Sequence, residues 1–311
     1  MKLLFRHAPK LAILSFLLLL LCMPEAALKG AKSGLLLWFH QVLPSLLPFF
    51  IVSGLITATG IGALLSKLLS PIFCPIFHCS KTAAYPILIG FLSGLPIGAK
   101  TIADYVEKGW LSKQEGQYLL PLCNNSGPFF ILSYIALNEL DIPEKKYALL
   151  CIIYAAPMIT VCLSYFLFYC RKPFHLSDTL SEQFTKFSYE LLDNCIMTGF
   201  EVLTKVGGYL ILFSILAEIL PALLPLSALF NALLTGTLEI TIGIHKLAAL
   251  PLTLHKKTAL IAAITTFGGL SGLAQTKSAV SQSGLTLFPY VITKISASCL
   301  AFFLTYLFNI L

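Results

Sequence analysis

Charge is scarce in this chain: only 11% of its 311 residues are Asp, Glu, Lys or Arg, against about 25% in an ordinary soluble domain. Polar stretches long enough to form a water-exposed domain are missing too. A chain 57% hydrophobic, with so little charge to cover it, cannot present a wettable surface, so the composition assigns it to the polytopic membrane proteins.

The parts that enzymes need are also lacking. The Asp residues, at 104, 141, 178 and 193, have no Gly-x-Gly-Asp setting of the kind intramembrane aspartyl proteases use. No His-Glu-x-x-His occurs to hold a catalytic zinc, and no Walker A lysine loop occurs through which ATP could drive the chain directly. Gly269 to Gly272 reads Gly-Leu-Ser-Gly, like a rhomboid nucleophile motif, but no His follows His255, and a nucleophilic serine needs a base. The sequence is read as a non-enzyme without a cofactor. Its nine cysteines are scattered through apolar runs and behave as small hydrophobes. Only Cys74 to Cys79, Cys-Pro-Ile-Phe-His-Cys, gathers candidate metal ligands, and a closed zinc site needs four, so this stretch is read as an interfacial turn and no metal site is assigned.

What is present is a series of apolar runs from Leu11 to Leu311. At roughly 20 residues per span they predict an all-α polytopic membrane fold of about eight to ten helices, several broken or re-entrant. The net charge of +7 comes from 21 basic against 14 acidic residues. The basic residues sit mostly at run ends, a pattern that anchors helices at lipid headgroups and not on nucleic acid. Lys2, Arg6 and Lys10 favour a cytoplasmic N-terminus. The same segment fits a signal peptide ending near Ala26-Ala27, and a retained first helix over 1–24 is the reading preferred.

Gly90 to Gly109 and Gly268 to Gly284 both carry Leu-Ser-Gly-Leu followed by a lysine, Lys100 or Lys277. Together with long interrupted runs from Gly34 and from Gly199, this suggests two repeats, 25–170 and 191–311, joined by a polar linker, 171–190. Paired interrupted segments are the mark of secondary-transporter folds built as inverted repeats. Gly and Pro also serve plain helix packing in membranes, and that alternative stands beside it.

The breaks carry the polar groups. Gly127-Pro128 interrupts regular structure just after Asn124, Asn125 and Ser126. In lipid such a break survives only where protein or a wet cavity satisfies its freed backbone groups. Gly236 to Gly243, Gly-Thr-Leu-Glu-Ile-Thr-Ile-Gly, sets Glu239 among apolar neighbours, and an intramembrane acid is a functional candidate by default; placement at the membrane surface beside His245 and Lys246 is the other reading. Candidate solute-binding residues are Asn124, Asn125, Ser126, Glu239, Thr241, Ser93 and Lys100. The two breaks are expected to meet at membrane depth, bringing the asparagines toward Glu239. Glu201 and Lys205, four apart, are expected to pair; Lys100, Lys277 and Lys294 have a headgroup-snorkelling alternative.

From about Leu35 to Leu273 these motifs, in this order, resemble the YlbJ-type sporulation integral membrane proteins, which carry the nucleoside-recognition or Gate domain. Pro44, Ser45 and Pro48 match the first motif; Ser93, Gly94, Pro96, Gly98, Ala99 and Lys100 match the second. Asn124, Ser126, Pro128 and Phe130 match the third, and Glu239, Thr241 and Gly243 the last. Gate domains are similar to parts of concentrative nucleoside transporters and of the ferrous-iron transporter. The resemblance implies recognition or passage of a small polar solute, a nucleoside among the candidates, in a sporulating cell's membrane. A non-transporting structural or partner protein of spore envelope assembly is the alternative, and a homo-oligomer or membrane-protein partner fits either.

Overall fold

The computed structural model describes residues 2–169, 185–224 and 226–307, and among them every regular element is helical. Of the expected linker, residues 171–184 fall outside the described residues.

Helix α1 (Lys2–Cys22) is followed by α2 (Pro24–Leu37), a π-helical turn at Trp38–Val42, and α3 (Leu43–Thr59). Pro44 has no N–H to give to the preceding turn, and the wider turn absorbs it. Ser45 Oγ donates to the Gln41 carbonyl at 2.5 Å there. Next come α4 (Ile61–Phe77), then α5 (Ala84–Ser93) and α6 (Ile97–Glu107), which pack on each other as a hairpin. Helix α7 (Lys113–Cys123) starts at Ser112, whose hydroxyl accepts from Glu115 N at 3.1 Å, an N-cap of the usual kind. It breaks at Asn124 and resumes as a π-helical segment, Phe130–Glu139, before α8 (Lys146–Ser164).

The second half opens with the 35-residue α9 (Tyr189–Leu223). It continues with a second hairpin, α10 (Ala228–Leu238) and α11 (Ile240–Ala249), and a second broken helix, α12 (Leu254–Phe267) and α13 (Gly269–Ala279). Helix α14 (Leu287–Leu307) closes it. In both α5–α8 and α10–α14 a hairpin is followed by a broken helix and a long helix, while α4 lies between α3 and the first hairpin. The corresponding long elements also pack together: α2 and α3 lie along α9, and α8 lies against α14.

The Leu-Ser-Gly-Leu match that suggested a repeat joins elements of different order. Its first copy turns the corner of the α5–α6 hairpin, and its second lies in α13, the second half of a broken helix.

Among the described residues, five helices are long and apolar enough to cross a membrane, and α4 with the segment Lys81–Ser93 that contains α5, bent by 105° at their junction, make a sixth candidate. Shorter apolar helices are the Lys10–Cys22 part of α1, Phe130–Glu139 at the first break, and α10 and α11 of the second hairpin. Outward-facing side chains such as Ile13, Leu64, Leu68, Phe168 and Met197 are large, apolar and exposed, as lipid contact requires. The chain is an integral, multi-pass membrane protein.

Glycine sets how closely the hairpins close. A Cβ at Gly243 would lie 2.0 Å from the Gly236 Cα, and one at Gly98 would lie 1.7 Å from the Cys123 carbonyl oxygen. Only a residue without a side chain lets α11 cross α10, or the first hairpin seat on α7, at this distance.

Candidate functional site

The interruptions of the helices open onto one cavity of about 670 Å³. Ser93 and Leu95 come from the first hairpin turn, Ser126 and Gly127 from the break after α7, Glu239 and Thr241 from the second hairpin, and Gly268 and Ser271 from the break before α13. The buried part of the wall carries a polar set, Ser93, Ser126, Glu239, Thr241, Ser271 and Gln275, all at most 9% exposed, beside the apolar Val206 and Leu210. The outer part carries His40, Gln41, Phe49, Leu92, Phe129 and Asn138, which are exposed.

Hydrogen bonds join break to break. The Leu95 N–H donates to the Asn125 carbonyl at 2.7 Å. Tyr154 OH reaches both the Phe91 and Ser126 carbonyls, at 2.8 and 3.1 Å. Across the two halves, Tyr134 OH donates to the Thr241 carbonyl at 3.0 Å and Ser126 Oγ to the Thr265 carbonyl at 3.4 Å. Backbone groups freed by the breaks therefore find partners inside the protein, as burial in lipid demands.

Glu239 stands in extended conformation between α10 and α11. Its carboxylate accepts from Ile242 N at 2.9 Å, capping α11, where the positive end of the half-helix favours an anion. It is 1% exposed and lines the cavity, so it is buried inside the protein.

Asn124 and Asn125 turn away from the cavity wall. Asn124 Nδ2 donates to Thr276 Oγ1 at 2.7 Å and Tyr290 OH at 2.9 Å. Asn125 Nδ2 donates to the Leu122 carbonyl at 2.6 Å, closing the end of α7. The asparagines tie the break down; Ser126 and Gly127 present it to the cavity. Ser93 Oγ and Asn124 Oδ1 are buried with no hydrogen-bond partner among the described residues.

Lys100 is apart from this group. It pairs with Asp104 one turn on and lines a second cavity of about 270 Å³, together with Glu107, Glu201 and Lys205. Glu201 and Lys205 pair at 2.7 Å, as their spacing implied.

Sequence reasoning missed Lys294. Its position among apolar residues suggested a headgroup contact, but it lies within α14 and is 0% exposed. Its amine donates to Asn125 Oδ1 at 2.9 Å and to the Asn124 carbonyl at 3.3 Å. Gln275 and the Phe130–Tyr134 stack, centroids 5.1 Å apart, were also missed; helical spacing from Ser271 to Gln275 was the available signal. Among the described residues no three His, Cys, Asp or Glu side chains gather as a metal site.

Among the described residues, the cavity wall contains no Lys or Arg. It can donate and accept hydrogen bonds through hydroxyls and amides, offer aromatic faces from Phe129, Phe130 and Tyr134, and set one carboxylate against a neutral or cationic group.

Residues 39–171 match the family model described as Gate, nucleoside recognition. The chain is also similar to a Bacillus subtilis (strain 168) protein named sporulation integral membrane protein YlbJ, 27% identical over 306 residues that cover 88% of this chain and 75% of that one. No solved structure matches.

Proposed function

We propose that this chain, a Gate-domain membrane protein of the YlbJ type, binds and passes a small, uncharged or cationic polar solute through the cavity between its two halves. The observation that carries the reading is the meeting of the helix interruptions from both halves, 25–170 and 191–311, at one cavity whose largely apolar wall carries buried polar groups at the breaks. Half-helix ends around a central site are how secondary transporters hold solute and ion. The twofold order of elements is taken as part of this proposal to be an inverted repeat.

A nucleoside suits the lining. Its flat base fits against Phe129, Phe130 and Tyr134, and its hydroxyls and base edge match Ser93, Ser126, Thr241, Ser271 and Gln275. A nucleotide does not suit it, because its phosphate would meet Glu239 and no Lys or Arg, and an unpaired buried charge is costly. The name of the Bacillus subtilis relative supports a role in sporulation. The test is binding and uptake by the purified protein in proteoliposomes. Nucleosides or nucleobases should bind and exchange while nucleotides do not; no binding across nucleosides, nucleobases and common cations removes the reading.

A second reading, a non-transporting structural or partner protein of the spore envelope, draws on Asn124, Asn125 and Glu239 all being engaged in holding breaks together. Cavity-facing groups separate the two. Replacing Ser126, Thr241 and Gln275 by Ala in a chain that still inserts should impair sporulation if the cavity is used, and leave it intact if only packing matters.

A further inference from the structure

Of the second cavity's wall, only Lys100 was among the candidate solute-binding residues read from the sequence. That cavity is lined by Lys100, Glu107, Glu201, Lys205, Ser278 and Gln282 among others. Two residues, Gln275 on α13 and Val206 on α9, border both it and the main cavity.

The walls continue from one space to the other on three elements. On the first hairpin, Ser93 and Leu95 face the main cavity while Pro96, Lys100 and Glu107 face the second. On α9, Leu210 and Val206 face the main cavity, then Val206, Val202 and Thr198 the second. On α13, Ser271 and Gln275 give way to Gln275 and Ser278, with Gln282 just beyond. Spacings of four and three put Ser271, Gln275 and Ser278 on one face of α13, and Gln282 follows in the turn after it. This is a stripe of uncharged hydrogen-bonding groups in a helix whose other neighbours are mostly small or apolar.

We infer that the two cavities are the ends of one conduit along α13, closed at the level of Gln275 and Val206, and that the second cavity is its mouth on the opposite membrane face. The inference extends the transport reading and rests on it for purpose, though not for its test. Lys100, Lys205, Glu107 and Glu201 gather charge at the second mouth, where water is reached. The stripe between is neutral, which suits an uncharged polar solute and gives an inorganic ion no counter-charge along the way. Gln275, 9% exposed, with its Nε2 bonded to Ser271 Oγ at 3.1 Å on its own helix, is the plug. Its amide is tied along α13, so a rotamer change can clear the path without unfolding the helix.

The test needs no solute. Full-length Ser133→Cys (main cavity) and Ser278→Cys (second cavity) variants are placed in oriented membrane vesicles. A membrane-impermeant charged maleimide is added to one face at a time, with the unsubstituted chain as background. Each variant should label from one face only, and the two faces should be opposite. Adding Gln275→Ala, or Gln275→Ser where that variant fails to fold, should then let Ser133→Cys label from the second face as well. Labelling of both variants from the same face, no labelling of Ser278→Cys from either face, or unchanged sidedness in a folded Gln275 variant overturns the conduit. Failure to bind nucleosides with the sidedness intact would strike the solute assignment and leave the conduit standing.

Discussion

Replacing Lys294 by Met keeps the side chain's length and bulk and removes its amine. In the native chain that amine bonds Asn125 Oδ1 at 2.9 Å and the Asn124 carbonyl at 3.3 Å, all three residues being at most 2% exposed. Asn124 follows the last residue of α7, so the amine sits at the negative end of a half-helix, where donors and cations are favoured. Orphaning a buried acceptor costs about 1–3 kcal/mol. Against this stands the desolvation of the amine itself, which Lys294→Met recovers. Partners found in the membrane-unfolded state reduce both quantities, and interhelical hydrogen bonds measured in membranes average about 0.6 kcal/mol with a maximum near 1.7. The site has two orphaned acceptors and no solvent to relieve them, so the expected net loss is about 1–2 kcal/mol.

The 3.3 Å contact is long and the 2.9 Å contact near ideal, so coupling should concentrate on Asn125. A double-mutant cycle of Lys294→Met with Asn125→Ala should give an interaction of about 1–1.7 kcal/mol. Reversible unfolding in mixed detergent micelles measures it; where unfolding is irreversible, inactivation half-life at fixed temperature serves. A Lys294→Met protein as stable as the wild type or more so, or a cycle that closes to within about 0.3 kcal/mol, refutes the account of Lys294 as the tie on the first break.

Gly243→Ala should cost about 3 kcal/mol or more of stability, since its Cβ would stand 2.0 Å from the Gly236 Cα; Gly208→Ala, with nothing within 4 Å of the new Cβ, should instead be neutral or stabilising by about 0.5–1 kcal/mol, and thermal unfolding compares them. Tyr154→Phe removes the hydroxyl shared by the Phe91 and Ser126 carbonyls and should cost about 1 kcal/mol, read by the same assay; no change would mean the hairpin and the break are not held by it. Glu239→Ala should lose a helix cap worth about 0.5–2 kcal/mol, whereas Glu239→Gln keeps an oxygen for Ile242 N and should lose less. Equal losses in the two Glu239 variants would argue against capping.

The helix breaks were legible because Gly and Pro act locally: Gly127-Pro128 and Gly236 to Gly243 disrupt the chain wherever they are placed. The all-helical class was legible from apolar length, which is likewise a property of single segments. Which way a side chain points at a break depends on what another segment brings there. Asn124 and Asn125 turned inward because Thr276, Tyr290 and Lys294, more than 150 residues away, offer them partners. The role of Lys294 was hidden for the same reason, since the residues around it give no sign that two carbonyl-type oxygens from α7's end will sit over it. The short Leu-Ser-Gly-Leu identity pointed to a repeat but paired a hairpin turn with a broken helix. Order of elements, which needs their ends, carries the correspondence better than a four-residue match.

The ties around the cavity differ in kind according to whether they lie within a half or between halves. Within the first half, the hairpin turn and the break are joined by a backbone bond, Leu95 N–H to the Asn125 carbonyl, and by Tyr154 bridging the same two elements. Between halves the polar links named here all use a side chain: Ser126 to Thr265, Tyr134 to Thr241, Asn124 to Thr276 and Tyr290, and Lys294 to the Asn124–Asn125 break. A side-chain hydroxyl or amine can change partner by rotating about its own bonds, while a backbone link moves only with its helix. Of these links the 3.4 Å contact of Ser126 with Thr265, at the cavity wall itself, is the longest, and exchanging it needs only a turn of the Ser126 hydroxyl.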